Sequence, residues 1–592
     1  VKDVYSLYRD LLKVLPVGAR RFVKIYSTCI GLLAVFDAAA LGLFALVVGP
    51  LSQGNPVVLP LFGTVGDRGI FVVLGGICLL TVSKGASSIV LLRWATHRAA
   101  RYELEIGSRL LHAYFGAPWT ERLKKNSADI VRFTDSSISP TIVAFLLPGA
   151  TILGEVMTLT AVIAVMSIAM PFIALVTVVY LGVIGAFLYL WVARRARAAG
   201  VINLEYSVRT VRRITEMVGA MKELTLRNKN IEVEDTIRDG RKHAVRARAN
   251  IHFLGQVPRF VLESGIIGGF VLVGAVGYVI GGEATAFSAV ALFGLAGFRM
   301  APSVVRFQFI VSLMTSTVPH VRNLIGEIRS SEGASAHRLG RGSLPIPENP
   351  ESLEFKNVSF RYPGAKEMAV KKVSLTIPFG QSIAIVGASG AGKSTLIDLI
   401  LGLIEPTSGV IAIDGTPLTE LTDSWRARVG YVPQEVALFD VTVAQNVALS
   451  WRKDVDRDRV KEALRGAQLL DTIEARKEGI NGRVGERGLT LSGGQRQRLG
   501  IARALYVDPF VLVMDEATSA LDTETEMAVT NAIKGLAGRS TTIIVAHRLS
   551  TVRDADRIFF MRDGIVAAQG NFNELVKSVP DFARQAALAG LA

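Results

Sequence analysis

Cysteine is nearly absent. Only Cys29 and Cys78 occur in 592 residues, both inside long apolar runs, so no disulfide framework can be inferred. Charge is scarce as well, at 20% of residues, where soluble domains average about 25%. Apolar residues make up 50% of the chain and the mean hydropathy is +0.39, which excludes both a disordered chain and an ordinary cytosolic enzyme. Acidic residues run short in one half only. Residues 1–350 hold 37 basic and 22 acidic side chains, and residues 351–592 hold 29 of each. The net charge of +15 therefore belongs to the hydrophobic half. It reads as membrane topology, and no nucleic-acid partner is expected. No small-residue cleavage site follows the first apolar run, which is too long for a secretory signal, so no cleavable leader is expected.

Long apolar runs are what the first half has. Six reach spanning length, about 20 residues each: Phe22–Pro50, Gly69–Leu92, Thr141–Met166, Pro171–Val192, Phe260–Gly281 and Ala284–Thr315. The links Ser167–Met170 and Gly282–Glu283 are short, whereas residues 93–140 and 193–259 are long and basic, with Arg194, Arg195 and Arg197 directly after the fourth run. Positive charge marks the cytoplasmic side, so both termini and both long segments are expected there. Those segments read as helices continuing past the bilayer. Residues 1–15 have helical apolar spacing (Val4, Leu7, Leu11, Leu12) and fit either a helix on the membrane surface or a first soluble turn. A Gly, Ser and Pro-rich stretch at 330–350 reads as a linker between a membrane domain, 1–329, and a soluble α/β domain, 351–592.

In the second half, strand-like Ser382–Val386 leads into Gly387-Ala-Ser389-Gly390-Ala-Gly392-Lys393-Ser394-Thr395 and then a helix. This is the order a phosphate-binding loop requires. Glycines let backbone N–H groups wrap phosphates at a helix N-terminus, Lys393 would reach the β- and γ-phosphates, and Ser394 would offer its hydroxyl to Mg²⁺. A second apolar strand, Phe510–Met514, ends in Asp515 and Glu516. Ending there, it puts both carboxylates at the sheet edge where α/β folds bind ligands. Asp515 would hold Mg²⁺ and Glu516 would polarise the attacking water. Leu491-Ser492-Gly493-Gly494-Gln495 opens another Gly-rich helix suited to an anion.

Taken in order, Tyr362, Gly387–Thr395, Gln434, Leu491–Gln495, Asp515–Glu516, Ser519–Asp522 and His547 resemble the nucleotide-binding domain of ABC transporters, over residues 351–575. The resemblance implies that Tyr362 stacks on adenine and that Gln434 senses Mg²⁺ and the γ-phosphate. It implies that Ser492 and Gly494 clasp the nucleotide held by a partner domain, that Asp522 links the two sites, and that His547 bonds the γ-phosphate. Glu486 matches a motif near the coupling helices. ATP and Mg²⁺ are the implied cofactors. One nucleotide domain and six spans imply half of a machine, completed by a second copy of the chain. The expected fold is an all-α six-helix transmembrane domain fused to an α/β P-loop ATPase domain, of the exporter type.

Charges inside spans cost roughly 2.5–3.5 kcal/mol each on insertion scales and commonly face a cavity or a partner. This chain has Asp37, Lys84, Glu155, Glu263, Arg299 and Arg306, with Arg259 at the start of the fifth run. Lys84 and Arg299 fall deep in their spans, where they line a pathway for an anion or pair with Asp37 or Glu155. Arg259 and Arg306 fall at the cytoplasmic rim, where snorkelling competes with cargo binding; Arg259 also stands one turn from Glu263. The stretches Val257–Glu263 and Phe298–Ser303, with Arg306, resemble the lipid-linked oligosaccharide flippases of the bacterial inner membrane. That resemblance implies a multi-pass inner-membrane flippase for a polyprenyl-pyrophosphate glycan, with Lys84, Arg259, Arg299 and Arg306 meeting the pyrophosphate. It also implies a short external helix at Asn55–Phe62, against which Pro56 and Pro60 argue. Export of another amphipathic cargo (a drug, lipid or peptide) stays open on the residues alone. So does a regulatory protein that uses ATP only to gate conformation, although Glu516 and His547 argue for turnover.

Overall fold

A computed structural model describes residues 2–52, 57–59, 63–65, 67–124, 137–336, 342–485, 488–515, 526–527, 529–530, 540–545, 549–588 and 591. The chain divides into two compact units, Val1–Ala117 with Lys124–Ala336, and Pro118–Leu123 with His337–Ala592.

The first unit is helical: α1 (Lys2–Val14), α2 (Val17–Ser52) and α3 (Asp67–Gly116), then, after the short α4 (Trp119–Leu123) of the other unit, α5 (Leu147–Ala169), α6 (Pro171–Gly219), α7 (Met221–Leu226) and α8 (Asn230–Ala336). The first apolar run lies on α2, the second on α3, the third on α5 and the turns before it, and the fourth on α6. The last two runs share α8, which breaks at Gly281 and Gly282. Gly282 has φ +73° and ψ −163°, which only glycine adopts at low cost. Between α5 and α6 the break falls at Met170, and Pro171 opens the next helix, where its missing N–H costs nothing. Four described helical stretches are long and apolar enough to cross a membrane: Ile70–Gly116, Ile138–Ile168, Pro171–Gly219 and Asn230–Ser330.

Where a short external helix is implied, the described backbone forms an antiparallel pair, β1 (Val57–Leu59) with β2 (Gly63–Val65). The remaining residues of Asn55–Phe62 lie outside the described set. Helix α1 is not left to the lipid surface along its whole apolar side. Leu11 and, just past its end, Leu15 are buried in a cluster with Phe22, Tyr102, Phe145 and Met314. Its Tyr8 hydroxyl donates to the Leu146 carbonyl at 3.1 Å, at the end of a π-helical turn, Thr141–Leu146. Asp3 joins two other helices, meeting Arg197 of α6 at 2.7 Å and Arg322 of α8 at 3.5 Å.

The second unit carries two sheets. The antiparallel one has order β4–β3–β6–β7, from β3 (Ser352–Phe360), β4 (Val370–Pro378), β6 (Ser408–Ile413) and β7 (Thr416–Pro417). The larger one has order β12–β11–β5–β10–β9–β8, from β5 (Ser382–Gly387), β8 (Val429–Val432), β9 (Val511–Asp515), β10 (Thr541–Val545), β11 (Arg557–Arg562) and β12 (Ile565–Gly570). All its neighbours are parallel except β11 with β12. The parallel strands read as unbroken apolar runs because both faces are covered. Ile383, Ile385, Val511, Val513 and Ile543 are buried in one cluster, each side chain stabilising by roughly 1.5–3 kcal/mol relative to exposure. Trp119 of α4 packs against this cluster.

Candidate functional site

Parallel pairing sets the site. Val545 of β10 stands beside Asp515 of β9, Met514 stands beside Val432 of β8, and β5 lies on the other side of β10. The carboxyl ends of four strands are therefore neighbours, and the chain leaves them as the phosphate loop, Asp515 and the Pro433–Gln434 segment. They enclose a cavity of about 320 Å³ lined by Ser389, Gly390, Gly392, Lys393, Ser394, Thr395, Gln434 and Asp515, with Ala369 and Val545.

The phosphate loop ends at helix α9 (Lys393–Ile400), whose N-cap is Gly392 with φ +97°. A Cβ there would stand 2.5 Å from the Ala369 carbonyl oxygen, so conformation and space both demand glycine. No side chain caps this N-terminus, which leaves its N–H groups directed to an anion. Lys393, 7% exposed, donates from Nζ to the carbonyls of Gly387 (2.8 Å) and Ala388 (3.0 Å) and is thereby held over the loop. Tyr362 packs edge-on against Phe360, and its hydroxyl shares a 3.2 Å hydrogen bond with Thr395 Oγ1.

The Ser394 hydroxyl, the Asp515 carboxylate and the Gln434 amide line the same cavity and supply oxygen donors, which fits a hard cation such as Mg²⁺. Among the described residues there is no group of three or more His, Cys, Asp or Glu suited to a metal, so nucleotide phosphates and water would complete the shell. Asp398 was not evident as a site residue. Burial, and then the charge of Asp515, push its carboxyl up to about 6. Burial, Asp515 and Asp398 push the Tyr431 phenol up to about 12. The one legible signal for Asp398 is a lone acid in the apolar stretch Leu396–Leu403.

Ser492 caps α10 (Gly493–Leu505) in a reciprocal capping box. Its hydroxyl accepts from the Gln495 N–H at 3.2 Å, and its own N–H donates to Gln495 Oε1 at 3.0 Å. Ser492 and Gly493 are exposed, and Ser492, Gly493, Gly494 and Gln495 are absent from the lining of the phosphate-loop cavity. Glu486, Glu516, Asp522 and His547 lie outside the described residues, although Asp515, next to Glu516, and Val545, two positions before His547, are at the cavity.

In the helical unit, Arg306 of α8 donates from Nε to Glu155 Oε1 (2.7 Å) and from Nη2 to Glu155 Oε2 and Ser303 Oγ, each at 3.2 Å. Lys84 lies within electrostatic reach of both Arg306 and Glu155, and Arg299 within reach of Arg306. Three of the four cations singled out in the sequence thus share one locus on α3, α5 and α8. The fourth, Arg259, pairs one turn along with Glu263 at 2.8 Å. Arg306 takes Glu155 as a partner in place of snorkelling alone. Asp37's side chain is outside the described set.

A helical unit joined to an α/β unit that carries a phosphate loop is the fold of ABC exporters. Residues 370–519 match the family model described as ABC transporter. The whole chain superposes on the structure of a bacterial Atm1-family ABC exporter with ATP bound, with TM-score 0.74, 22% identity and 97% of each chain covered. Among curated proteins, the ATP-dependent lipid A-core flippase of Cupriavidus metallidurans is 44% identical over 238 residues, 40% of each chain. That of Salmonella typhimurium is 45% identical over 243 residues, 41% of this chain and 42% of that one. ABC transporter B family member 13 of Arabidopsis thaliana is 41% identical over 262 residues, 44% of this chain and 21% of its own length. The matched stretch spans about two-fifths of the length of the flippases.

Proposed function

We propose that two copies of this chain form an ATP-driven flippase of the bacterial inner membrane, with both termini and the ATPase domains in the cytoplasm. The observation that carries this reading is the cavity in which Lys393, Ser394, Gln434 and Asp515 converge. ATP binds with its phosphates on the loop N–H groups and Lys393. Ser394, Asp515 and Gln434 would hold Mg²⁺, which would offset phosphate charge. Tyr362 serves adenine. Glu516 positions the water, His547 meets the γ-phosphate, and Asp522 joins the two sites. Ser492, Gly493, Gly494 and Gln495 act on the partner's nucleotide, a role supported by the exposure of Ser492 and Gly493 and by the absence of all four from the cavity lining of their own chain.

The cargo proposed is an anionic amphipathic lipid, specifically a polyprenyl-pyrophosphate oligosaccharide. Lys84, Arg299 and Arg306 provide its headgroup site, and Arg259 acts at the entrance. The cluster of three cations and one carboxylate within apolar helices supports an anion there, because charge-assisted hydrogen bonds strengthen as water is excluded. The relatives named as lipid A-core flippases favour a second cargo, lipid A-core itself.

Turnover is tested with Glu516→Gln, which binds ATP yet loses hydrolysis; activity within about twofold of wild type, a difference below about 0.5 kcal/mol, sinks the assignment of Glu516. Mixing Lys393→Ala chains with Ser492→Arg chains leaves one of the two composite sites intact in a mixed pair, and complete loss of activity there, the result expected if each chain completes its own site, would rule out shared sites. Proteoliposomes loaded with a pyrophosphate-linked glycolipid or with lipid A-core then decide between the cargoes.

A further inference from the structure

One ridge of helix α10 grips the segment that carries Gln434. Gln497, 4% exposed, donates from Nε2 to the Pro433 carbonyl at 3.3 Å. Three residues on, Gly500 makes room for Val436: a Cβ there would stand 2.5 Å from Val436 Cγ2. Three residues further, Arg503 donates from Nη1 to the Ala437 carbonyl and from Nε to the Asn446 carbonyl, both at 3.0 Å. Positions 497, 500 and 503 form an i, i+3, i+6 row, one of the ridges a helix uses in packing. The row therefore touches the chain immediately before Gln434 and again two and three residues after it. Pro433 has no N–H, so its carbonyl is the one backbone group of that residue that can take a hydrogen bond and help fix the turn into Gln434. Arg503 lies seven positions beyond Arg496, which is in the first turn of the helix, and that turn begins at the Ser492 capping box. The stretch from Ser492 to the grip on Gln434 is thus continuous helix.

We propose that Gln497 is a positioning residue for Gln434, acting through the Pro433 carbonyl. Helix α10 and the Gln434 segment then shift as one body. What Gln434 does at its own chain's Mg²⁺ and what Ser492 does at the helix start are mechanically tied. This rests on the reading that Gln434 meets Mg²⁺ and the γ-phosphate.

The test uses the full chain in nanodiscs and reads ATPase rate against Mg²⁺ at fixed ATP. Gln497→Met, of similar length without the donor, is expected to raise the half-saturating Mg²⁺ about fivefold, the scale of one lost neutral hydrogen bond, with the maximal rate within about twofold. In a Gln434→Ala background the same substitution is expected to have almost no further effect, because the group it positions is gone. Gly500→Ala disturbs the same segment by pushing Val436, and it is expected to give the same pattern if Gln497→Met does not fold. Effects of Gln497→Met and Gln434→Ala that simply multiply would overturn the proposal and leave the ATPase reading intact. A Gln434→Ala chain with the wild-type Mg²⁺ requirement would overturn the assignment of Gln434, and the proposal with it.

Discussion

Arg306→Ala separates the proposed cargo role from a structural one, because Arg306 is also ion-paired with Glu155 in the structure. Its partner Glu155 is only 14% exposed and receives two charge-assisted contacts from it, while Arg306 itself is 57% exposed. Orphaning one member of a fully buried pair costs about 3–5 kcal/mol, and exposed pairs contribute about 0–1 kcal/mol. A pair with one buried and one open member falls between, at about 2 kcal/mol. Arg306→Ala should therefore lower the thermal midpoint of the purified protein by several degrees, on the scale of about 2–4 °C per kcal/mol for units of this size. Adding Glu155→Gln removes the orphaned charge and should restore most of that loss without restoring transport. Arg299→Ala instead relieves like-charge repulsion with Arg306. It should keep the midpoint and the basal ATPase near wild type while lowering flipping of a pyrophosphate lipid about tenfold, or about 1.4 kcal/mol. The assays are melting in nanodiscs and flipping in proteoliposomes. An Arg306→Ala chain that melts with wild type, or whose loss Glu155→Gln fails to repair, refutes the pairing argument. Unchanged flipping in Arg299→Ala removes the headgroup site.

Asp398 gives a pH prediction. Its folded carboxyl is raised above its ordinary value to about 6 by burial and Asp515, so its contribution to stability is present at low pH and is lost as pH rises through about 6. Asp398→Asn should therefore stabilise the ATPase domain at pH 7.5 and give no gain near pH 4, checked by melting across that range. A Cβ on Gly200 would stand 2.2 Å from the Ser316 carbonyl oxygen, and backbone cannot rotate away. Gly200→Ala should cost on the order of 1–3 kcal/mol, the range of core overpacking, seen as a lower midpoint. For orientation, a cysteine at exposed Glu283 should react with an impermeant reagent outside intact cells, and one at exposed Ser330 should not; the reverse pattern overturns the positive-inside assignment.

The ATP site was legible because its parts sit where strands end. Once Ser382–Gly387, Val429–Val432 and Val511–Asp515 are parallel strands of one sheet, Lys393, Gln434 and Asp515 must meet at one edge. The six apolar runs were legible for an equally local reason, since spanning length is a property of consecutive residues. Partners distant in sequence were not. Glu155 and Arg306 are 151 residues apart, and nothing in the composition of either span selects that pair over Lys84 with Glu155. The π-helical turn at Thr141–Leu146 and its tie to Tyr8 depend on tertiary packing that an apolar pattern does not encode. Asp398 escaped because a single acid in an apolar helix carries no motif; only its neighbour Asp515, brought over by the sheet, gives it meaning.

The amino-terminal Asp3 shares one carboxylate between arginines on two different long helices, Arg197 on α6 and Arg322 on α8. A carboxylate has little reach of its own, so the two helices cannot draw apart there while both contacts survive. The 3.5 Å contact to Arg322 is the slacker and yields before the 2.7 Å contact to Arg197. Exposed ionic contacts contribute only about 0–1 kcal/mol, so parting them is easy, whereas Leu11 and Leu15 keep the rest of the helix seated in its apolar bed. The first turn of α1 is therefore moored to both α6 and α8, and any widening of the gap between them would part the Arg322 contact first and leave α1 tied to α6.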